Sequence, residues 1–341
     1  MIKLAIIGAG KIAEKFYLPA VKKIKDASVV GVIDQDISKA KILSKKFNVQ
    51  FFSKDLKSLM KKTDLDAALI CSSNYSHDDL ILNSLKNNLH VICEKPFLLR
   101  LKNIEKIKKL IKKKKLICLS AQHQRYRACS LKLKKILEMK KLGKIYSIHI
   151  NSKYSYSHAL KNKNFIKKSL SGGGPLLDLG SHFLDLVYWF LDSPQVKSVN
   201  SFNSNIFANN LKKENKLRND FNIEDYSSGM IRLKKGPIIS YEFSYSYNSN
   251  IKKTENITIM ATNYNLTWPD LILSKINTKI KKLKGKNNKK ASIIMIDKFI
   301  KDIKSKKINI KDLSPTFNSL KTINLLYKSA QKKKEVIFEN Y

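Results

Sequence analysis

Arginine is nearly missing from this chain. Lysine and arginine together number 67 of 341 residues, yet only Arg100, Arg125, Arg127, Arg218 and Arg232 are arginine. Set against 27 acidic residues, this leaves a formal charge of +40. A nucleic-acid interface would draw on the planar, bidentate guanidinium as well as on lysine. Here the lysines are spread along the chain among many Asn and Ile residues. All three types are encoded by A/T-rich codons, so composition accounts for a solvated basic surface. No specific nucleic-acid partner is expected. A field of this sign still favours an anionic substrate, such as a sugar nucleotide.

Cysteine is also sparse, with four residues and no CxxC pair. Cys71, Cys93 and Cys118 sit in short apolar runs that read as buried strands, so reduced thiols and a cytoplasmic setting are expected. No secretory leader is read at the N-terminus, where residue 2 already opens a strand pattern. Long apolar runs are missing too. The most apolar helix candidate, Phe183 to Leu191, is short and contains Asp185, so no membrane span is expected. No His/Cys cluster has ligand spacing, which argues against a metal centre. No internal repeat is visible.

What is present is enough to fill more than one core. A chain of 341 residues with 43% hydrophobic content points to two domains. Up to residue 120, short runs apolar at every position alternate with lysine-rich amphipathic segments. The runs are Lys3–Ile7, Val29–Ile33, Ala67–Cys71, His90–Cys93 and Leu116–Leu119. Strands buried on both faces read this way, and helical crossovers such as Leu80–Asn87 and Leu101–Lys114 separate them. The expectation is a parallel, doubly wound sheet over residues 1–121.

Beyond that point the texture changes. A helix over Ser130–Lys141 precedes alternating segments at Lys144–Ile150, Tyr226–Leu233, Ile238–Tyr247 and Asn256–Ala261. Alternation suits half-buried, mostly antiparallel strands. Asn209–Asn219 and Lys281–Lys290 read as polar loops, and Pro315–Lys332 as a final helix. Residues 122–341 are expected to form a second, α+β domain.

Two constellations carry chemistry. Gly8-Ala9-Gly10-Lys11-Ile12-Ala13 directly follows the first strand and opens a helix. The first glycine permits the turn, and the second lets the backbone approach a pyrophosphate. The small Ala13 allows helix and strand to pack closely. Asp34 ends the next strand, where a carboxylate would bond ribose hydroxyls and repel the 2′-phosphate of NADP. NAD is therefore expected, with NADP as the alternative. Gly8, Gly10, Lys11, Ile12 and Asp34 form the core of the cofactor set. Ser72, Asn74 and His77 follow the Ala67–Cys71 run and join it, with a helix-start role as the alternative for His77. Glu94, Lys95 and Gln122 complete the set.

The second constellation is split along the chain. Glu94-Lys95-Pro96 ends the run His90–Cys93, at the edge where such sheets bind ligands. Proline restricts Lys95 to extended conformations and permits a cis bond. The other part is Gly172-Gly173-Gly174-Pro175, read as a flexible loop, followed by Asp178 and His182. Their spacing of four places both on one helical face. That spacing alone also suits a structural surface pair, just as Lys95 alone could be a surface lysine.

Taken together, these residues resemble the Gfo/Idh/MocA oxidoreductases, the group of glucose–fructose oxidoreductase and inositol 2-dehydrogenase. The resemblance covers nearly the whole chain. It rests on Gly8-x-Gly10-x-x-Ala13, on Leu65-Asp66-Ala67-Ala68 through Asn74 and His77, and on Glu94-Lys95-Pro96. It continues through Gln124-Arg125-Tyr126, where the family usually has Asn first, to Gly172-Gly173-Gly174 with Asp178, Gly180, His182 and Asp185. It implies a Rossmann domain followed by an α+β domain whose large, mostly antiparallel sheet often mediates homo-oligomers. It also implies that Lys95, Asp178 and His182 are catalytic. The activity implied is hydride transfer between NAD(P) and a hydroxyl-bearing carbon of a sugar, cyclitol or nucleotide-linked sugar. A non-catalytic NAD-sensing protein of the same fold is the alternative. Ser73 stands where proline is common, and Phe165 near where Trp-Arg is common, which leaves the substrate class open.

Overall fold

A computed structural model describes residues 1–155, 166–213, 221–247, 249–284, 290–308 and 310–338. The chain divides into two units, Met1–Tyr126 with Asn288–Ser314, and Arg127–Asn287 with Pro315–Tyr341. Sequence texture alone places a single boundary after residue 121. The structure adds a return to the first unit that no local pattern announces.

The first unit is built on six strands: β1 (Ile2–Ile7), β2 (Ala27–Ile33), β3 (Phe51–Ser53), β4 (Ala67–Ile70), β5 (His90–Cys93) and β6 (Cys118–Ser120). They lie in the order β3-β2-β1-β4-β5-β6, and every pair is parallel. This is the doubly wound order of dinucleotide-binding sheets. Every residue of β4 is buried, which is why its sequence shows no alternation. Strand β3 is only three residues long and escaped the sequence reading.

One face of the sheet carries a core cluster in which Leu4, Ile6, Val32, Leu69 and Ile92 meet Ala13, Tyr17, Leu18 and Val21 of the first helix. Met295, Ile296, Phe299, Ile300 and Ile303 join the same cluster. They form the apolar stripe of the helix Ala291–Lys304, and this stripe brings residues 288–314 back to the first unit.

The second unit holds a nine-stranded sheet. Its strands are β7 (Ile145–Ser155), β8 (Val196–Ser204), β9 (Tyr226–Leu233), β10 (Ile238–Tyr247) and β11 (Lys253–Ala261), with the shorter β12 (Asn265–Trp268), β13 (Ile272–Ser274), β14 (Lys281–Lys282) and β15 (Val336–Ile337). The order is β14-β13-β12-β11-β7-β10-β9-β8-β15. Only β7 and β10 pair in parallel; the remaining pairs are antiparallel.

Alternate residues such as Ile148, Ile150, Ile239, Phe243 and Ile257 are fully buried. Phe183, from the helix Gly180–Phe190, lies edge-on to Trp268, with ring centroids 5.9 Å apart, and beside Phe243. Part of the segment expected as a loop, Asn209–Asn219, is helical, since Ile206–Lys213 forms a helix and residues 214–220 lie outside the described residues. Of Lys281–Lys290, the first two residues are β14 and 285–289 lie outside the described residues.

Candidate active site

In a parallel sheet all strands end on one edge, so residues just past the strands converge there without further instruction. The ladder continues one step beyond the strands. Gly8 N–H donates to Ile33, Cys71 N–H to Ile7, Glu94 N–H to Ile70 and Ala121 N–H to Cys93. Gly8, Asp34, Ser72, Glu94, Lys95 and Gln122 therefore belong to one carboxyl edge.

Gly8 has φ +105°, and a Cβ there would lie 2.7 Å from the Ser72 nitrogen. Both facts require glycine. Gly10 is different: a Cβ would meet no protein atom within 4 Å. That open room lies at the start of the helix that begins at Lys11. The Asp34 carboxylate is fixed from both sides, with Ala9 N–H donating at 2.7 Å and Asp36 N–H at 3.0 Å. Lys11 and Ile12 are exposed in the first helical turn. The residues present fit a dinucleotide, with room at Gly10 for a pyrophosphate and a carboxylate held beside the phosphate loop. Asp36 caps the helix Ile37–Phe47 and is held near pKa 2 by the Ser38 and Lys39 side chains; it also engages the Lys39 amine at 3.2 Å.

Lys95 is bracketed on both sides. Its own N–H donates to Glu94 Oε2 at 3.0 Å, and Glu94 Oε1 accepts from the Tyr17 hydroxyl. The bond from Lys95 to Pro96 is cis. On the far side, His77 Nδ1 lies 2.8 Å from the Pro96 carbonyl and Nε2 lies 3.1 Å from the Ser72 carbonyl. Asp78 accepts from the N–H groups of Leu99 and Arg100 and from the Asn103 amide. The expectation for His77 changes accordingly. It is fully buried, and both ring nitrogens face backbone carbonyls, so the ring is packed between two loops rather than reaching outward. Burial pushes its imidazole below the ordinary range. Ser72 Oγ pairs with Ser76 Oγ at 2.7 Å, and Asn74 opens the short 3-10 turn Asn74–Ser76. Gln122 is buried.

Asp178 and His182 belong to the second unit. The helix that carries them is not continuous: Pro175–Asp178 ends at Leu179, and Gly180–Phe190 follows. His182 N–H reaches the Leu179 carbonyl, three residues back, so the joint is tighter than the ideal helix assumed from spacing. Asp178 Oδ2 accepts from the Tyr245 hydroxyl. Burial, then the charge of Asp178, pushes Tyr245 well above its ordinary range, so it remains a donor. Tyr154, from β7, donates to Glu255 Oε1 at 2.8 Å. Asp185 accepts from Thr316 at 2.7 Å and is fully buried, so it ties the helix Ser314–Lys332 to its neighbour.

Two of the three glycines are required by close packing. A Cβ on Gly173 would sit 2.2 Å from the Tyr327 hydroxyl, and one on Gly174 would sit 2.1 Å from the Glu224 carbonyl. Glu224 accepts from Gly174 N–H at 3.0 Å, Leu176 N–H at 3.2 Å and the Tyr327 hydroxyl at 2.7 Å. It thereby caps the helix that leads to Asp178. Burial pushes its carboxyl above the ordinary range. Sequence reasoning missed Tyr17, Tyr245 and Glu224. Tyr17 alone left a signal, as a hydroxyl four residues beyond Ala13 on the buried side of the first helix. Phe165 lies outside the described residues. Among the described residues, no group of three or more His, Cys, Asp or Glu side chains is placed to hold a metal ion.

Residues 2–123 match the family described as an oxidoreductase family with an NAD-binding Rossmann fold. Residues 130–266 match the GFO/IDH/MocA C-terminal domain. The chain is similar to D-glucoside 3-dehydrogenase of Escherichia coli, 25% identical, with 97% of this chain and 95% of that one covered. Among solved structures it is similar to levoglucosan dehydrogenase in complex with NADH and L-sorbose, at a TM-score of 0.84, 17% identity and 99% of each chain. The WlbA dehydrogenase of Bordetella pertussis, in complex with NADH and UDP-GlcNAcA, gives a TM-score of 0.80 at 18% identity, covering 100% of this chain and 99% of that one. At such identities the solved structures show the fold alone.

Proposed function

This chain belongs to the Gfo/Idh/MocA oxidoreductase family, and from that premise we propose that it is a dehydrogenase or reductase acting on a hydroxyl-bearing carbon of a sugar, cyclitol or nucleotide-linked sugar, with NAD preferred over NADP. The observation that carries this reading is the convergence of Gly8, Gly10, Asp34 and Lys95 on one carboxyl edge of one sheet. When bound, the nicotinamide supplies the group that exchanges a hydride with the substrate carbon.

The chain's own residues do the rest. The turn at Gly8 and Gly10, with the helix opening at Lys11, holds the pyrophosphate. Asp34 takes the ribose hydroxyls, and its charge opposes a 2′-phosphate. Lys95 donates to the substrate oxygen and stabilises developing alkoxide charge. His182 takes the hydroxyl proton as general base and returns it in the reverse direction. Asp178 orients that imidazole and is itself held by Tyr245.

The relative from Escherichia coli supports a sugar as substrate, and the formal charge of +40 favours an anionic one, such as a nucleotide-linked sugar. We place the enzyme in the cytoplasm, in keeping with four unpaired cysteines, three of them buried. Among the described residues, no helix is long and apolar enough to cross a membrane. We also assign it a homo-oligomeric state, dimer or tetramer. The nine-stranded sheet exposes Phe202, Met230 and Ile238 on β8, β9 and β10, at 67%, 52% and 43%. Their register places all three on one face.

The test is a panel of polyols, free sugars and UDP- or dTDP-sugars, followed by nicotinamide absorbance with NAD and with NADP. Turnover of at least one sugar, faster with NAD, is expected. NADH binding with no turnover across the panel contradicts the enzymatic reading. Light scattering of the purified chain is expected to give twice or four times the monomer mass, and a monomer contradicts the assembly.

A further inference from the structure

We infer that Tyr17 is a positioning residue for Lys95: its hydroxyl ties the helix that receives the cofactor to the strand end that presents the lysine. The inference rests on the reading of Lys95 as a group that touches substrate.

Tyr17 is 2% exposed and lies in the core cluster of the first unit. Every other buried member of that cluster has a hydrocarbon or sulfur-bearing side chain, and Tyr126, which also carries a hydroxyl, packs against it only partly buried. A phenylalanine would fill the same space. An unpaired hydroxyl in such surroundings is costly, so this one is explained only by what it bonds. It bonds Glu94 Oε1, and the other oxygen of the same carboxylate receives the Lys95 N–H at 3.0 Å. The result is a short chain from Tyr17 O–H, through the Glu94 carboxylate, to the peptide nitrogen of Lys95.

The place of Tyr17 in its helix gives that chain its meaning. The helix opens with the phosphate loop, and Tyr17 ends the π-helical turn Ala13–Tyr17 that follows it. Single π turns inside helices redirect side chains and are frequent at functional sites. Here Ala13 and Tyr17 are the buried pair of the turn, while Phe16 beside Tyr17 is 55% exposed. The backbone beyond Lys95 is already held, since His77 and Asp78 grip Pro96 and the segment Leu99–Asn103. The backbone before it is oriented by Glu94, and Glu94 by Tyr17. Burial, then the charge of Glu94, pushes the Tyr17 hydroxyl well above its ordinary range, so it stays a donor wherever the enzyme works. Charge-assisted bonds of this kind are short and strongly orienting.

The experiment compares wild type, Tyr17→Phe, Glu94→Gln and Lys95→Met. Residue-resolved hydrogen–deuterium exchange reads the Lys95 amide, NADH fluorescence reads cofactor affinity, and turnover uses the sugar panel above. In Tyr17→Phe the Lys95 amide should exchange about tenfold faster and kcat should fall about tenfold, as expected for a lost charge-assisted bond. NADH affinity and melting temperature should stay near wild type.

An unchanged Lys95 amide overturns the inference. So does faster exchange across the whole sheet with a lowered melting temperature, which would make Tyr17 a packing residue. Faster Lys95 exchange with unchanged kcat also overturns it. Should Tyr17→Phe fail to fold, Glu94→Gln decides, because its amide sets an NH2 donor where the carboxylate has one of its two acceptor oxygens. It must then give the same exchange change. Retained turnover in Lys95→Met would instead overturn the reading of Lys95, whatever Tyr17→Phe does.

Discussion

The two units hold their candidate groups by opposite means. In the first, Gly8, Asp34, Glu94 and Lys95 each follow a parallel strand, and the hydrogen-bond ladder alone brings them to one edge. Side chains then refine the positions, as Ala9 N–H does for Asp34. In the second, Asp178 and His182 sit on either side of a break at Leu179, and no ladder places them. Polar side chains from distant segments do so instead. Glu224, Tyr245 and Tyr327 lie 48 to 103 residues away in sequence from the groups they bond. A site at strand ends is inherited from the topology; a site on a broken helix has to be propped.

Matched glycine substitutions should break this comparison most sharply. Gly10→Ala meets no protein atom, so the fold should persist while NAD affinity drops roughly tenfold to a hundredfold from lost backbone approach. Gly174→Ala collides with the Glu224 carbonyl and should cost about 1–3 kcal/mol of stability, with an intact cofactor site. Thermal melts and NADH titrations of both variants check this. Equal effects on stability would dissolve the distinction.

A smaller effect is expected at Asp34. Its change to Ala should lower kcat/KM for NAD by about tenfold and narrow the gap to NADP, read by initial rates with each cofactor. An unaltered ratio would remove Asp34 from the choice.

The smallest concerns the prop in the second unit. Tyr245→Phe strips a donor from Asp178 while keeping the ring, so kcat should fall by about fivefold to tenfold with NADH affinity unchanged. Unchanged kcat would mean that Asp178 is held well enough without it.

Legibility follows the same division. Strands β5, β9 and β10 emerge in sequence with the bounds they have in the structure, because each is long enough or apolar enough to show its own period. Strand β3 is too short to do so. The helix Ala291–Lys304 is absent from the sequence reading, and its membership in the first unit is set by side chains such as Leu4, Leu18 and Leu119, far away in the chain. At the candidate site, the position of the motif glycines, Asp34 and Lys95 past strand ends could be read because strand, turn and helix signals surround them. Glu224 could not, since nothing near it in sequence shows that it caps a helix opening at Pro175. The run Gly172–Gly174 looks like a flexible loop in sequence, and only the structure shows the tyrosine and the carbonyl that exclude side chains at two of its positions.

The most direct test of the account is a paired measurement on Lys95→Met: NADH binding by fluorescence, and turnover of the best sugar on the panel. The account predicts wild-type NADH affinity with turnover reduced by about a hundredfold to a thousandfold, the scale of lost transition-state electrostatics. Turnover within tenfold of wild type would contradict it.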